Sequence, residues 1–255
     1  MPVEDYGGLT LHTQVVGAGG PPVVLVHGLL VGSLSTWYFA VAPALAREHR
    51  VIMYDLRGHG LSPVTPGGYG VRGQADDLAR VVERHAGGEP VMLVGHSVGG
   101  AIGLRYALAH PERVARLVMI DTPLPVMAKN WIDRVRAASL PDLLKLLPGA
   151  NHSLVGRGGR QLAKLAEKVV ALTARTSLLD DLLVEPDFSD QELAAFARPL
   201  LLCYATRGGP VVTATRARLA ARVPGARLVM IEGGHALPVE APEPLVAAIR
   251  EFRDG

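Results

Sequence analysis

Residues 91–103 have the sequence VMLVGHSVGGAIG, and this stretch decides the fold of the chain. The four apolar residues 91–94 follow a Gly-Gly-Glu-Pro turn, which predicts a short strand buried on both faces. Residues 95–99 then fit the pattern G-x-S-x-G, in which a sharp strand-to-helix turn raises a serine above a sheet. The two outer glycines avoid collisions in this turn and tolerate unusual backbone angles. We therefore predict a strand, a tight turn at Ser97 and a helix.

A serine at the start of a helix is well placed for nucleophilic catalysis. The first N–H groups of a helix have no intrahelical partner and carry a partial positive charge, so they stabilise an anionic oxygen above Ser97. A Gly-rich loop with an incidental serine is the alternative interpretation. The apolar strand before the serine favours the nucleophile, as do Gly100 and Gly103, which allow close packing of the helix on its strand.

The composition of the 255-residue chain favours one α/β domain or two small ones. The hydrophobic fraction is 49% and the formal net charge is +2, with no basic run, so we expect no nucleic-acid partner. No apolar run reaches the ~18 residues of a membrane span, and the acidic N-terminus lacks the apolar segment of a signal peptide. These features predict a cytoplasmic protein. The single Cys203 lies in an apolar run and is expected in the core.

No metal or cofactor is expected from the sequence. The histidines are scattered, with no i, i+4 pair beside a carboxylate of the kind that binds zinc. No G-x-G-x-x-G motif opens the first βα unit, which argues against a dinucleotide. A small molecule is therefore the expected partner, and both a monomer and a homodimer are compatible with the chain.

Strands and helices alternate along most of the chain. Strands are predicted at 9–16, 23–26, 50–54, 91–94, 117–120, 200–204 and 227–231, and helices at 39–48, 73–85, 98–110, 213–222 and 242–252. This alternation predicts βαβ units and a mainly parallel sheet. His27, Asp55, Ser97 and Asp121 each follow a strand, so they should gather at the carboxyl edge of the sheet, where open α/β sheets bind ligands.

The alternation stops between residues 123 and 198. Helices are predicted at 126–147, 160–183 and 191–197 with no strand between them, which indicates a helical cap over a core of residues 1–122 and 199–255. Its apolar residues would shape a pocket or pack against the core: Trp131, Leu140, Leu143, Leu146 and Leu147. The Gly-rich segment 147–160 is either a mobile lid loop or an ordinary surface loop.

Four motifs, in this order, resemble those of the α/β-hydrolase superfamily over nearly the whole chain. They are His27-Gly28, Asp55-x-Arg57-Gly58-His59-Gly60-x-Ser62, residues 95–100, and Gly233-Gly234-His235 followed by Glu240-x-Pro242-Glu243. The resemblance is to cap-bearing esterase and lipase-like members. It implies a mostly parallel eight-stranded sheet whose second strand is antiparallel, flanked by helices and carrying a helical cap insertion.

The resemblance also implies a set of site residues. Ser97 would be the nucleophile and His235 its base, since the chain order agrees with that of these hydrolases. The oxyanion hole would consist of the backbone N–H groups of Leu29 and Val98. In the 55–62 loop, Asp55 is expected to accept loop N–H bonds and Arg57 to form a local ion pair. Candidate substrate-binding residues are His27, Gly28, Trp37 and Trp131.

The chain departs from the family at the acid that orients the histidine. The usual position, shortly after strand 200–204, is occupied by Gly208, and no carboxylate lies between residues 197 and 225. Loss of the acid costs a serine triad about 10⁴ in turnover. Asp121 is the best substitute because it closes the neighbouring strand, ~4.8 Å away. The alternatives are Asp180 or Asp181, an Asp121 that only supports the loop backbone, or no acid at all.

These features predict a serine hydrolase of small or medium carboxylic esters, lactones or thioesters. A C–C hydrolase, a lyase or a cofactor-free peroxidase could use the same serine and histidine. A weakly active binding protein is a further alternative, because of Gly208. Epoxide hydrolase and haloalkane dehalogenase activities would require an aspartate in place of Ser97.

Overall fold

A computed structural model describes residues 3–17, 19–126, 129–138 and 159–254 of the chain. The described residues contain an eight-stranded sheet with the order β1-β2-β4-β3-β5-β6-β7-β8. The strands are β1 (Val3–Asp5), β2 (Thr10–Val16), β3 (Pro22–Val26), β4 (Arg50–Tyr54), β5 (Val91–His96), β6 (Val114–Ile120), β7 (Leu200–Ala205) and β8 (Arg227–Ile231). β2 is antiparallel to both of its neighbours, and the strands from β4 to β8 pair in parallel. The predicted α/β-hydrolase sheet is thus confirmed.

Eleven α-helices lie in the described ranges. They are α1 (Ser35–Tyr38), α2 (Val41–Leu45), α3 (Val71–His85), α4 (Val98–Ala109), α5 (Lys129–Ala137), α6 (Gly159–Arg175), α7 (Leu178–Val184), α8 (Asp190–Ala195), α9 (Pro210–Arg222), α10 (Leu237–Glu240) and α11 (Pro242–Asp254). The central strands β3, β5 and β7 are buried along their whole length, because helices cover both faces of the sheet.

Two apolar clusters form the core, one on each face of the sheet. Residues of α3 and α4, such as Leu78 and Ile102, pack on one face, and residues of α2 and α11, such as Leu45 and Ile249, pack on the other. Cys203 is fully buried in the second cluster, as predicted. This arrangement leaves the carboxyl edge of the parallel strands free for loops.

Several predicted elements differ from the structure. The helix predicted at 39–48 is the shorter α2 (Val41–Leu45), and neither α1 (Ser35–Tyr38) nor β1 was predicted. The helix predicted at 160–183 is two helices, α6 and α7. They separate because the Ser177 N–H donates to the Pro66 carbonyl and the Thr176 hydroxyl donates to the Leu172 carbonyl.

Helices α5 to α8 lie between β6 and β7, where the sequence predicted an insertion. α5, α6 and α7 share a third apolar cluster with Leu30 and Tyr69, which belong to loops at the carboxyl edge. α8 instead contributes Leu193 to the first core cluster. Leu140, Leu143, Leu146 and Leu147 lie outside the described residues, as does most of the 147–160 segment. The boundaries of a cap at 123–198 stay a prediction.

In the described ranges, we find no helix with the length and apolarity needed to cross a membrane.

Candidate active site

The turn between β5 and α4 holds Ser97 in a strained conformation, with φ +55° and ψ −124°. A side-chain carbon on Gly95 would lie 2.3 Å from the Gly99 carbonyl oxygen, and one on Gly99 would lie 2.2 Å from the Val26 carbonyl oxygen. Both glycines are therefore required by close packing, while the unusual backbone angle falls on the serine itself. The Ser97 N–H donates to the Ile120 carbonyl at 2.8 Å, which ties the turn to β6.

Asp121 and His235 are joined by a short hydrogen bond. The distance from Asp121 Oδ2 to His235 Nδ1 is 2.6 Å, although the two residues are 114 positions apart in the chain. The Asp121 side chain is fully buried, and its other oxygen accepts the Ala205 N–H at 3.0 Å. With Nδ1 donating to the carboxylate, Nε2 of the neutral imidazole is left as an acceptor, which is the state that a general base requires.

The other candidate carboxylates have different partners. Asp181 accepts the backbone N–H groups of Gly68 and Tyr69 and the hydroxyl of Ser177. Asp180 forms an ion pair with Arg136. A side-chain carbon on Gly208 would meet nothing closer than the Ala205 carbonyl oxygen, at 3.5 Å. Of the acids considered from the sequence, Asp121 is the one that contacts His235 in the described structure.

Ser97 and His235 line the same cavity, whose volume is about 600 Å³. This size is within the range of about 300–1,000 Å³ for small-molecule sites. No hydrogen bond joins the Ser97 hydroxyl to His235 within the described residues. Such bonds are often long in enzymes without substrate and tighten only in the complex, so the arrangement is compatible with proton transfer between them.

The two predicted oxyanion donors are the backbone N–H groups of Leu29 and Val98. Leu29 lines the cavity, and Val98 is the first residue of α4, where a helix has unpaired N–H groups. In the part of the chain that the structure describes, neither N–H has a hydrogen-bond acceptor. Both are therefore available to an oxyanion, and their role stays a prediction.

A buried hydrogen-bond network supports the loop containing Leu29. The Leu30 N–H donates to His59 Nε2 at 2.8 Å, and the Leu34 N–H donates to Asp55 Oδ1 at 2.7 Å. Leu30 has a φ of +65°, a strained angle that these bonds help to maintain. Burial lowers the pKa of His59 to about 3, so its ring stays neutral and can accept the Leu30 N–H.

The expected roles in the 55–62 loop agree with this network. Asp55 accepts the Leu61 N–H at 2.8 Å and contacts His12 of β2 at 2.7 Å. Arg57 forms an ion pair with Asp77 of α3, with a distance of 2.6 Å from Nη2 to Oδ1. The carboxylate of Asp55 therefore links β2 to the loop that carries the candidate oxyanion donor.

Two of the four predicted substrate-binding residues do not reach the cavity. His27 is fully buried; it contacts the Gly28 carbonyl through Nδ1 at 2.7 Å and accepts the Leu56 N–H at 3.0 Å through Nε2. Trp37 is also fully buried, because α1 directs it into the core beneath the site. Neither residue is among the described residues that line the cavity, and a role for them in substrate binding stays a prediction. Gly28 and Trp131 do line the cavity.

His96 contacts the histidine loop directly. Its Nε2 lies 2.7 Å from the backbone oxygen of His235, and the two ring centroids are 5.0 Å apart. Burial, reinforced by the nearby His235, lowers the pKa of His96 to about 3. A neutral His96 donates to this carbonyl and places no positive charge beside the base.

Glu240 holds the chain on both sides of His235. Its carboxylate accepts the Gly234 N–H at 2.6 Å and the Ala236 N–H at 3.2 Å. In the sequence, Glu240 stands out only as part of the family motif. The sequence feature that could have identified its role is its position five residues after His235, because a short helix then turns the carboxylate back onto the loop.

The wall of the cavity is mostly apolar, with two arginines and no carboxylate side chain among its described residues. The lining includes Leu29, Leu30, Val31, Pro123, Val126, Trp131, Arg134, Arg207, Val211, Val212 and Val239. Arg207 is neutralised by Glu232 at 2.6 Å and by Glu240 at 3.7 Å. The described residues contain no group of three or more His, Cys, Asp or Glu side chains that could hold a metal ion.

Curated proteins of known sequence match part of this chain. A fluoroacetate dehalogenase of Burkholderia sp. is 41% identical over 136 residues, which cover 51% of this chain and 43% of the dehalogenase. The chain spans less than half the length of several curated relatives that it matches.

Solved structures match over the whole fold. A thermophilic esterase from Thermogutta terrifontis has a TM-score of 0.74 at 26% identity, covering 99% of this chain and 96% of the esterase. An enol-lactonase from Burkholderia xenovorans has a TM-score of 0.79 at 21% identity over the full length of both chains, a likeness that shows the fold alone. The family model described as alpha/beta hydrolase fold matches residues 21–242. The chain therefore belongs to the α/β-hydrolase family.

Proposed function

We propose that the protein is a serine hydrolase that cleaves small or medium carboxylic esters, lactones or thioesters through an acyl-enzyme. The observation that carries this proposal is the 2.6 Å contact between Asp121 and His235 in a cavity that the strained Ser97 also lines. A serine hydroxyl needs a base, and the base needs a group that sets its tautomer. The three residues supply these parts from the ends of β5, β6 and β8.

The reaction proceeds in two steps. Ser97 Oγ attacks the substrate carbonyl while His235 Nε2 takes its proton, and the tetrahedral oxyanion accepts hydrogen bonds from the Leu29 and Val98 N–H groups. His235 then protonates the leaving group, which departs and leaves the acyl group on Ser97. A water, deprotonated by His235, then attacks the acyl carbon, and His235 returns that proton to Ser97 Oγ as the Oγ–acyl bond breaks and the acid is released. Asp121 holds His235 with its proton on Nδ1 and stabilises the imidazolium that forms in each step.

The alternatives are less well supported. The binding-protein hypothesis depended on the absence of an acid at Gly208, and Asp121 provides a carboxylate for the histidine. The dehalogenase among the relatives does not extend its activity to this chain, because a nucleophilic aspartate would be needed where Ser97 stands. C–C cleavage uses the same residues, and no feature of the cavity favours it.

The test is covalent labelling by a fluorophosphonate together with hydrolysis of p-nitrophenyl butyrate. We expect one adduct on the wild type, none on Ser97→Ala, and normal labelling of Ser35→Ala, whose hydroxyl on α1 bonds Ser33 outside the cavity wall. Ester hydrolysis should fall by at least about 10³-fold in Ser97→Ala alone. A folded wild type that is neither labelled nor active on esters would refute the proposal, and so would labelling that persists in Ser97→Ala.

A further inference from the structure

The cavity wall contains one arginine whose charge is not neutralised by the described part of the protein. Arg134 is on α5 and lines the cavity, and it has no ion-pair or hydrogen-bond partner among the described residues. The second arginine of the wall, Arg207, is held by two glutamates. Arg136, two positions along the same helix, is paired with Asp180. Arg134 therefore differs from both neighbours in having its guanidinium available to a ligand.

The face of α5 that lines the cavity carries a second polar donor. Asn130 is four residues before Arg134, so the two side chains lie on the same side of the helix, and both belong to the cavity wall. Trp131 completes this face with an aromatic ring. An amide and a guanidinium beside each other present several N–H donors, and the guanidinium fork matches a carboxylate in two parallel hydrogen bonds.

The charge around the cavity favours an anion. None of its described lining residues is an aspartate or a glutamate, and burial lowers the pKa of His96 to about 3, so this histidine adds no charge to the wall. An anionic group of the substrate would thus meet an arginine and no opposing carboxylate in the wall. The remaining apolar lining suits the hydrocarbon between this group and the scissile bond.

We propose that the cavity binds esters or lactones that carry a second, free carboxylate, and that Arg134, with Asn130, binds this carboxylate. The proposal rests on the proposed hydrolase function for the identity of the scissile bond. The carboxylate contact is part of substrate binding, so it selects among esters and is not needed for the chemistry at Ser97.

Binding to the inactive variant Ser97→Ala tests the subsite without turnover. The two ligands are p-nitrophenyl hydrogen adipate, which has a free carboxylate, and methyl p-nitrophenyl adipate, in which that carboxylate is methylated. Dissociation constants are measured by calorimetry in Ser97→Ala and after adding Arg134→Gln or the control Arg136→Gln. We expect the charged ester to bind about tenfold tighter than the methylated one, as for hydrogen bonds to a charged group at a partly exposed site.

Three outcomes decide the proposal. The preference for the charged ester should disappear with Arg134→Gln and remain with Arg136→Gln, and it should weaken with added salt. Equal binding of the two esters, or a preference that survives Arg134→Gln, would overturn the subsite. If the preference behaves as expected while the wild type is not labelled by fluorophosphonate, the subsite stands and the hydrolase assignment fails.

Discussion

Replacing Asp121 by asparagine tests the least conventional part of the proposed site. The side chain keeps its size, and asparagine tolerates the positive φ of +45° at this position about as well as aspartate does. The Asn oxygen can still accept the Ala205 N–H, which Asp121 Oδ1 accepts at 3.0 Å. The fold of the turn after β6 should therefore survive the change.

The expected loss of turnover follows from the change at the other carboxylate oxygen, Oδ2. In the variant an NH₂ group replaces Oδ2, 2.6 Å from His235 Nδ1, and two donors cannot face each other. His235 would then accept a hydrogen bond at Nδ1 and carry its proton on Nε2. In this tautomer Nε2 cannot take the proton of Ser97. Loss of the tautomer in a serine triad lowers turnover by about 10⁴, or roughly 5.4 kcal/mol of activation free energy.

The assay is kcat for p-nitrophenyl butyrate at pH 8, with circular dichroism and a thermal melt to check folding. The matched control is Asp180→Asn, which makes the same change at a carboxylate of α7 that is paired with Arg136. We expect kcat of the control to stay within about twofold of the wild type, because the pair is exposed and remote from the imidazole.

A kcat for a folded Asp121→Asn within tenfold of the wild type would refute the reasoning. Some other group would then orient His235, and Asp121 would serve only the backbone of its loop through the Ala205 N–H. An equal loss in Asp180→Asn would instead indicate that the measured effect is not specific to the contact with the histidine.

Three further predictions concern buried groups. His96→Phe removes the donor to the His235 carbonyl, so kcat for the butyrate ester should fall about tenfold with KM little changed; unchanged kcat would exclude this positioning role. The folded-state pKa of His59 is about 3, below that of the unfolded chain, so its contribution to stability is complete above pH ~6.5 and declines as the pH falls toward 3, by up to ~1.4 kcal/mol per pH unit. The free energy of unfolding in urea should change less between pH 7.5 and pH 5 for His59→Gln than for the wild type. Equal changes would contradict the assignment of a low folded-state pKa to His59. Burial raises the pKa of the Cys203 thiol to about 12, so iodoacetamide should modify it only in denaturant, as mass spectrometry of native and unfolded samples can check.

The sequence was sufficient to predict the parts of the site that follow from topology. Ser97 and Asp121 each close a strand, and the parallel order of β5 and β6 brings their carboxyl ends to one edge. The same topology favoured Asp121 over Asp180 and Asp181, but it could not establish the contact with His235 itself. That contact depends on the path of the loop after β8, which Glu240 and His96 hold through backbone groups of residues 234–236.

The remaining parts of the site could not be predicted because the sequence does not show which way each side chain points. His27 and Trp37 were assigned to substrate binding because they stand near strand ends, but a residue at a strand end can face the core as well as the cavity. The contact between Asp55 and His12 joins β2 to the residue directly after β4, 43 positions away in the chain, and no local sequence pattern at either residue predicts it. The predicted helix limits were wrong where a threonine side chain bonds the backbone, as Thr176 does at the end of α6.

Because the partner of His235 follows β6, the loop after β7 shapes the cavity without also having to orient the histidine. The segment after β7 contributes Arg207, Gly209, Pro210 and Val211 to the cavity wall, and no carboxylate in it has to meet the histidine. Mutations there can change which molecules enter while the 2.6 Å contact, anchored in the buried end of β6, stays intact. A library randomised over residues 208–211 should therefore yield altered selectivity more often than lost catalysis. Natural substitutions at these positions should have the same effect.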